Sequence, residues 1–139
     1  MRINTKIRSL LLSTALALVL AACASTPSSP EMTLEERAQA RWDHILNDEA
    51  ELAYPYLTPG YRDITSLGDY LVWLANRPVR WVAASVESVE CENEDTCSVT
   101  TSITYRVPGG PTGINQMRMN RDIVEDWIRI DGQWYFVQN

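Results

Sequence analysis

The spacing of apolar and polar positions changes period along this chain, and each period predicts a different element. From Leu34 the apolar residues recur at steps of three and four, through Ala38, Trp42, Ile45 and Leu46, while Glu35, Glu36, Arg37, Gln39 and Asp43 face away. That is the stripe of an amphipathic helix. Thr33-Leu34-Glu35-Glu36 matches a capping box, with Thr33 as N-cap and Glu36 three residues on. Asp48-Glu49-Ala50-Glu51 repeats the pattern and predicts a second, short helix through Tyr56, distorted by Pro55 and ended by Thr58-Pro59-Gly60. A third helix is predicted from Ser66, its N-cap, to Asn76, with Leu67, Tyr70, Leu71 and Leu74 on the buried side and Pro78 closing it.

Beyond Pro78 the period falls to two. Cys97, Val99, Thr101, Ile103, Tyr105 and Val107 alternate with Ser98, Thr100, Ser102, Thr104 and Arg106, the pattern of a strand with one wet face. Trp81 to Cys91 reads as its hairpin partner, with a phase change that predicts a bulge near Glu87-Ser88. Pro108 to Gly113 is a loop, and Gln116 to Ile130 a long third strand whose phase is also expected to slip, around Ile123-Val124. Asp131-Gly132 is a two-residue hairpin signal before a last strand at Trp134 to Val137.

Helices first and an antiparallel meander afterwards predict an α+β domain, with N-terminal helices packed on a curved antiparallel sheet of about four strands. The order of elements resembles the NTF2-like superfamily, the cone-shaped fold of ketosteroid isomerase and the SnoaL-type cyclases. The resemblance is carried by Arg41 to Leu46, by Ala53 to Arg62, and by the ending from Glu125 to Phe136. It implies a concave sheet closed by helices around a pocket. It also implies that catalytic members hold an inward Asp, or a Tyr with Asp or His. No complete set of that kind aligns here, so no catalytic residue is assigned. Trp42, Tyr54, Tyr61, Tyr70 and Tyr105 are the candidate pocket or ligand contacts. His44, the sole histidine, stands two residues past Trp42 and so turns away from the apolar stripe, as does Asp43.

Ahead of the helices lies a different kind of segment. Arg2, Lys6 and Arg8 precede a largely apolar run from Leu10 to Ala22, and Ala21-Ala22 offers a cleavage point directly before Cys23. Leu20-Ala21-Ala22-Cys23 resembles the lipobox of a bacterial lipoprotein signal peptide. The resemblance implies lipidation of Cys23, with palmitate among the acyl chains, and a membrane partner reached through that lipid anchor. Ala24, in place of an Asp after the cysteine, implies sorting to the outer membrane, with the domain in the periplasm. An ordinary secretory signal with an incidental Cys23 is the competing expectation. The thirteen residues of the apolar run are too few for a transmembrane helix, which needs about twenty. The divisions expected are a leader over 1–22, a Ser- and Pro-rich linker over 23–32, and a folded domain over 33–139.

Removing the leader sharpens the charge. Twelve basic residues less the three in the leader leave nine arginines against eighteen acids, a balance of minus nine. An acidic body argues against a nucleic-acid partner. Of three cysteines, assigning Cys23 to lipid leaves Cys91 and Cys97 flanking a polar turn between two strands, a spacing that suits a structural disulfide in an oxidising compartment. Neither a metal nor a cofactor is expected: the chain has no Cys-x-x-Cys, no His-Glu-x-x-His and no phosphate-cradling glycine loop. The acids Glu87, Glu90, Glu92, Glu94 and Asp95 lack the spacing of a calcium loop.

Two functions follow as expectations. One is a non-catalytic module of the cell envelope that binds a small apolar ligand or a partner protein, with a homodimer through the sheet as a further arrangement. The other is an isomerase-, dehydratase- or cyclase-like enzyme. An inward carboxylate facing a tyrosine in a deep pocket would favour the enzyme. A cavity filled by Trp73, Trp81, Trp127 or Trp134 would count against it.

Overall fold

The computed structural model describes residues 32–109 and 116–138. The leader, Cys23, most of the linker and most of the loop after Pro108 lie outside the described residues. The first described element shows how closely local chemistry sets a boundary. Thr33 Oγ1 accepts from the Glu36 N–H at 3.2 Å, and Glu36 Oε2 accepts from the Thr33 N–H at 2.9 Å, which starts α1 (Leu34–Leu46) with the expected capping box. Leu34, Ala38 and Trp42 are buried, and so is Arg41, whose place beside Trp42 puts a cation on the apolar stripe.

The next segment departs from expectation twice. Asp48 has φ of 60°, in the left-handed region, whereas an N-cap needs extended backbone. Consequently α2 is only Ala50–Ala53, with Glu49 at its N-cap and no side-chain cap bond. A single 3₁₀ turn follows at Tyr54–Tyr56. Thr58-Pro59-Gly60 then begins a helix instead of merely ending one. Thr58 Oγ1 accepts from the Tyr61 N–H at 3.3 Å, and Pro59 takes the first turn of α3 (Pro59–Ile64), where its missing N–H costs nothing. The helix α4 (Leu67–Ala75) has Ser66 as N-cap, as expected, with the Asp69 N–H donating to Ser66 Oγ at 3.2 Å. Tyr70 is its buried residue; Leu67, expected inside, is exposed.

Four antiparallel strands in the order β1-β2-β3-β4 form an open sheet: β1 (Arg80–Asn93), β2 (Thr96–Pro108), β3 (Gln116–Ile130) and β4 (Gln133–Phe136). The domain is therefore α+β, as expected. The β1–β2 register shifts between Val86 and Ser88, the bulge that the phase change predicts. A disulfide joins Cys91 to Cys97, which are cross-strand partners with Cα atoms 3.9 Å apart. The predicted slip in the third strand is absent. The β2–β3 register runs without a shift from Thr96↔Ile128 to Pro108↔Gln116. Ile123, Glu125 and Trp127 share the inward face, while Val124 points out and is 66% exposed. The hydrophobic pattern looked broken because a buried position is occupied by a glutamate. The turn into β4 uses Asp131 and Gly132 at φ of 51° and 83°, the left-handed pair that a tight hairpin demands.

The core lies where α1 and α4 meet the inward face, around Leu34, Leu57, Tyr70, Val99, Trp127 and Phe136. Among the described residues no helix is long and apolar enough to cross a membrane.

Candidate functional site

Adjacent residues of α1 converge on one carboxylate. Arg41 Nη1 donates to Glu125 Oε1 at 2.9 Å, Trp42 Nε1 donates to Oε2 at 2.9 Å, and Thr101 Oγ1 adds a bond to Oε2 at 3.3 Å. Arg41 and Glu125 are both almost completely buried, and the Arg41 guanidinium carbon lies 3.8 Å from the centre of the Phe136 ring. Three donors satisfy the carboxylate of this ion pair far from water, while on the cation's side Arg41 Nε is buried without a hydrogen-bond partner. A general base needs free access to a substrate proton. Glu125 is instead spent on holding α1 against β3.

Tyr70 is fully buried next to this pair, and its hydroxyl makes no hydrogen bond. Burial raises the pKa of the phenol, and the nearby positive charge of Arg41 offsets only part of that rise. Indole rings occupy much of the surrounding space: Trp127 is fully buried, and Trp42 meets Trp81 edge to face with centroids 5.0 Å apart.

Away from this packed region the helices stop short of the sheet. The C-terminal end of α1 (Ile45, Leu46), α4 (Leu71, Leu74), the start of β1 and the end of β2 (Val107) enclose a cleft of about 520 Å³. Its size falls within the range of about 300–1,000 Å³ usual for small-ligand sites. A smaller cavity of about 200 Å³ is bounded by Arg41, Trp42, Trp73, Trp81 and Glu125. Arg77 borders both. Its guanidinium carbon lies 3.8 Å from the Trp73 ring centre and 4.7 Å from that of Trp81, so the cation is held between two indoles.

The residues singled out from the sequence have varied surroundings. Trp42 borders the smaller cavity and caps the buried carboxylate. The Tyr54 hydroxyl donates to the carbonyls of Arg62 and Thr65 at 3.3 and 2.6 Å, tying α3 to the turn before it. Tyr61 packs half-buried against the core, in which Tyr70 is fully enclosed. Tyr105 pairs across the sheet with Trp81 and Met119 on the inward face. Neither these four tyrosines nor Trp42 lines the 520 Å³ cleft. His44 Nδ1 lies 3.0 Å from Glu49 Oε2 in a partly exposed pair, and Asp43 accepts from Gln39 Nε2 at 2.8 Å.

Arg41, Glu125 and Arg77 escaped the sequence reading. For Arg41 a signal existed: it stands three residues after Ala38 and one before Trp42, inside the apolar stripe. A charge at such a position demands a buried partner.

No family model matches the chain, and no curated protein matches it. Among solved structures, the fold is similar to the solution structure of RPA3114, a SEC-C motif containing protein from Rhodopseudomonas palustris, with a TM-score of 0.57 and 16% identity over 76% of each chain. The likeness is one of fold. It corrects the expectation of a bacterial lipoprotein with an NTF2-like domain: the neighbour that the structure resembles is a SEC-C motif protein. The physical reason is that helices followed by an antiparallel meander are shared by more than one architecture, and the helical part here contains the additional α3. The four residues ending in Cys23 carried the rest of that resemblance, and they lie outside the described residues.

Proposed function

We propose that the folded domain is a non-catalytic ligand-binding module of the cell envelope. The observation that carries the reading is the separation between the cleft and the reactive groups. The cleft of about 520 Å³ is walled by Ile45, Leu46, Leu71, Leu74 and Val107, while the inward carboxylate, Glu125, is locked elsewhere by Arg41, Trp42 and Thr101. Such a site can enclose an apolar group, and neither Glu125 nor any of the tyrosines singled out from the sequence lines it. The outward face of β2, with Ser98, Thr100, Ser102 and Thr104, is polar and favours the cleft over the sheet as the binding surface. The disulfide Cys91–Cys97 supports work in an oxidising compartment outside the cytoplasm.

An uncharged apolar dye such as Nile red tests the reading. The full chain is expected to bind it, and Leu74→Trp, which fills the cleft, is expected to weaken binding about tenfold, a loss of about 1.4 kcal/mol. Equal binding by a folded Leu74→Trp variant would place the dye elsewhere and end the proposal.

A further inference from the structure

The cleft has apolar wall residues in Ile45, Leu46, Leu71, Leu74 and Val107, and its charge is one-sided. Three arginines, Arg77, Arg80 and Arg106, line it against a single acid, Asp48. This occurs in a chain whose net charge is −6. The ion pairs Arg41–Glu125, His44–Glu49 and Arg129–Asp95 involve no cleft residue. Arg77 is half-buried, and its Nε is buried without a hydrogen-bond partner. Burial, and after it the positive charge of Arg41, lowers the Arg77 pKa, so the site strains against its own cation. Arg80 and Arg106 stand directly opposite each other on β1 and β2. Like charges in that relation repel.

A protein interior normally answers a sequestered guanidinium with a carboxylate, as it does for Arg41. At Arg77 it supplies two indole faces, which hold the planar ion in place while satisfying none of its in-plane N–H donors. Stacking fixes the fork and leaves its edge for an oxyanion.

We infer, building on the ligand-binding reading above, that the cleft takes a single-chain amphipathic anion, with its apolar chain along Ile45, Leu71, Leu74 and Val107 and its carboxylate or phosphate headgroup on Arg77. Arg80 and Arg106 add positive potential at the rim, and a bound headgroup relieves their mutual repulsion.

Calorimetric titration of the full chain with dodecanoate, dodecyl phosphate, dodecanol and inorganic phosphate tests this, each below its micelle-forming concentration. The two amphipathic anions are expected to bind about tenfold or more tightly than dodecanol, since charge-assisted hydrogen bonds exceed that difference. Tighter dodecanoate identifies a fatty acid as the preferred source, tighter dodecyl phosphate a phosphoryl lipid, and either supports the inference. Arg77→Met, which keeps the apolar stem, is expected to bring both anions down to the affinity of dodecanol while leaving dodecanol unchanged. Should that variant fail to fold by circular dichroism, the comparison among ligands on the unaltered chain decides alone. Dodecanol matching the anions would overturn the headgroup assignment and leave the cleft reading standing. Inorganic phosphate matching dodecyl phosphate would also overturn it, by removing the apolar chain. Failure of every dodecyl compound to bind would overturn the ligand-binding reading itself.

Discussion

The same two strands, β2 and β3, solve opposite problems at their two ends. Near the disulfide and β4 they are roofed by helices, and the charge that falls inside, Glu125, is met by Arg41, Trp42 and Thr101. At the other end the inward face carries Met117 and Met119, 40% and 42% exposed, and the neighbouring cations Arg77, Arg80 and Arg106 face no described acid in an ion pair. One end closes on a buried ion pair whose carboxylate meets three donors. The other leaves a cleft of about 520 Å³ with three arginines and one acid along it.

The largest test of that contrast is to unbalance the roofed end. Glu125→Ala leaves Arg41 buried without its partner and is expected to cost about 3–5 kcal/mol in urea denaturation, while Arg106→Ala at the open end changes stability by no more than about 0.5 kcal/mol. Equal effects would erase the distinction between the ends. The hairpin disulfide comes next: replacing Cys91 and Cys97 together with serine is expected to remove about 2 kcal/mol, the contribution of so short a loop in the chain-entropy model. An unchanged melting temperature after reduction would show that the register alone holds this hairpin. Thr33→Ala, which removes the first cap of α1, should cost about 1 kcal/mol by the same denaturation measurement.

The most specific effect concerns Tyr70. Burial raises its pKa in the folded state, so the unfolded chain releases this proton first, near pH 10, and stability falls as pH rises through and above that value. Below it the protonated phenol is neutral in both states and contributes no such dependence. Tyr70→Phe should change stability by less than about 1 kcal/mol at pH 7, because the lost hydroxyl has no hydrogen-bond partner. It should also flatten the alkaline decline. A variant with the same alkaline midpoint would assign that decline to other groups.

What the chain disclosed in advance follows the range of the forces involved. The caps at Thr33 and Ser66, the alternation of β2, the bulge near Ser88 and the Asp131-Gly132 turn are local, and each appears where its residues place it. Asp48 and Thr58 misled because the same residue types serve caps, turns and stops, and only the backbone conformation around them separates these roles. Val124-Glu125 misled for a different reason. The partner that makes an inward glutamate tolerable is Arg41, 84 positions earlier. The cleft was illegible for the same cause, since its walls come from the end of one helix, the middle of another and the margins of two strands. The tyrosines drew attention as amphipathic rings, yet the hydroxyls of Tyr54 and Tyr70 show two fates of such a ring: one ties down a backbone, and the other is simply enclosed.

The shortness of β4 has a consequence for how copies of the domain meet. It covers only Trp127 to Ile130 of β3, so toward Gln116 the far side of that strand keeps amides and carbonyls that no described strand pairs. An uncapped margin of this kind is where strands from separate molecules stack into growing ribbons. Arg118, Arg121 and Asp122 interrupt it with charge, and all three are exposed. Charge at these positions makes the unroofed margin a poor template for a neighbouring strand.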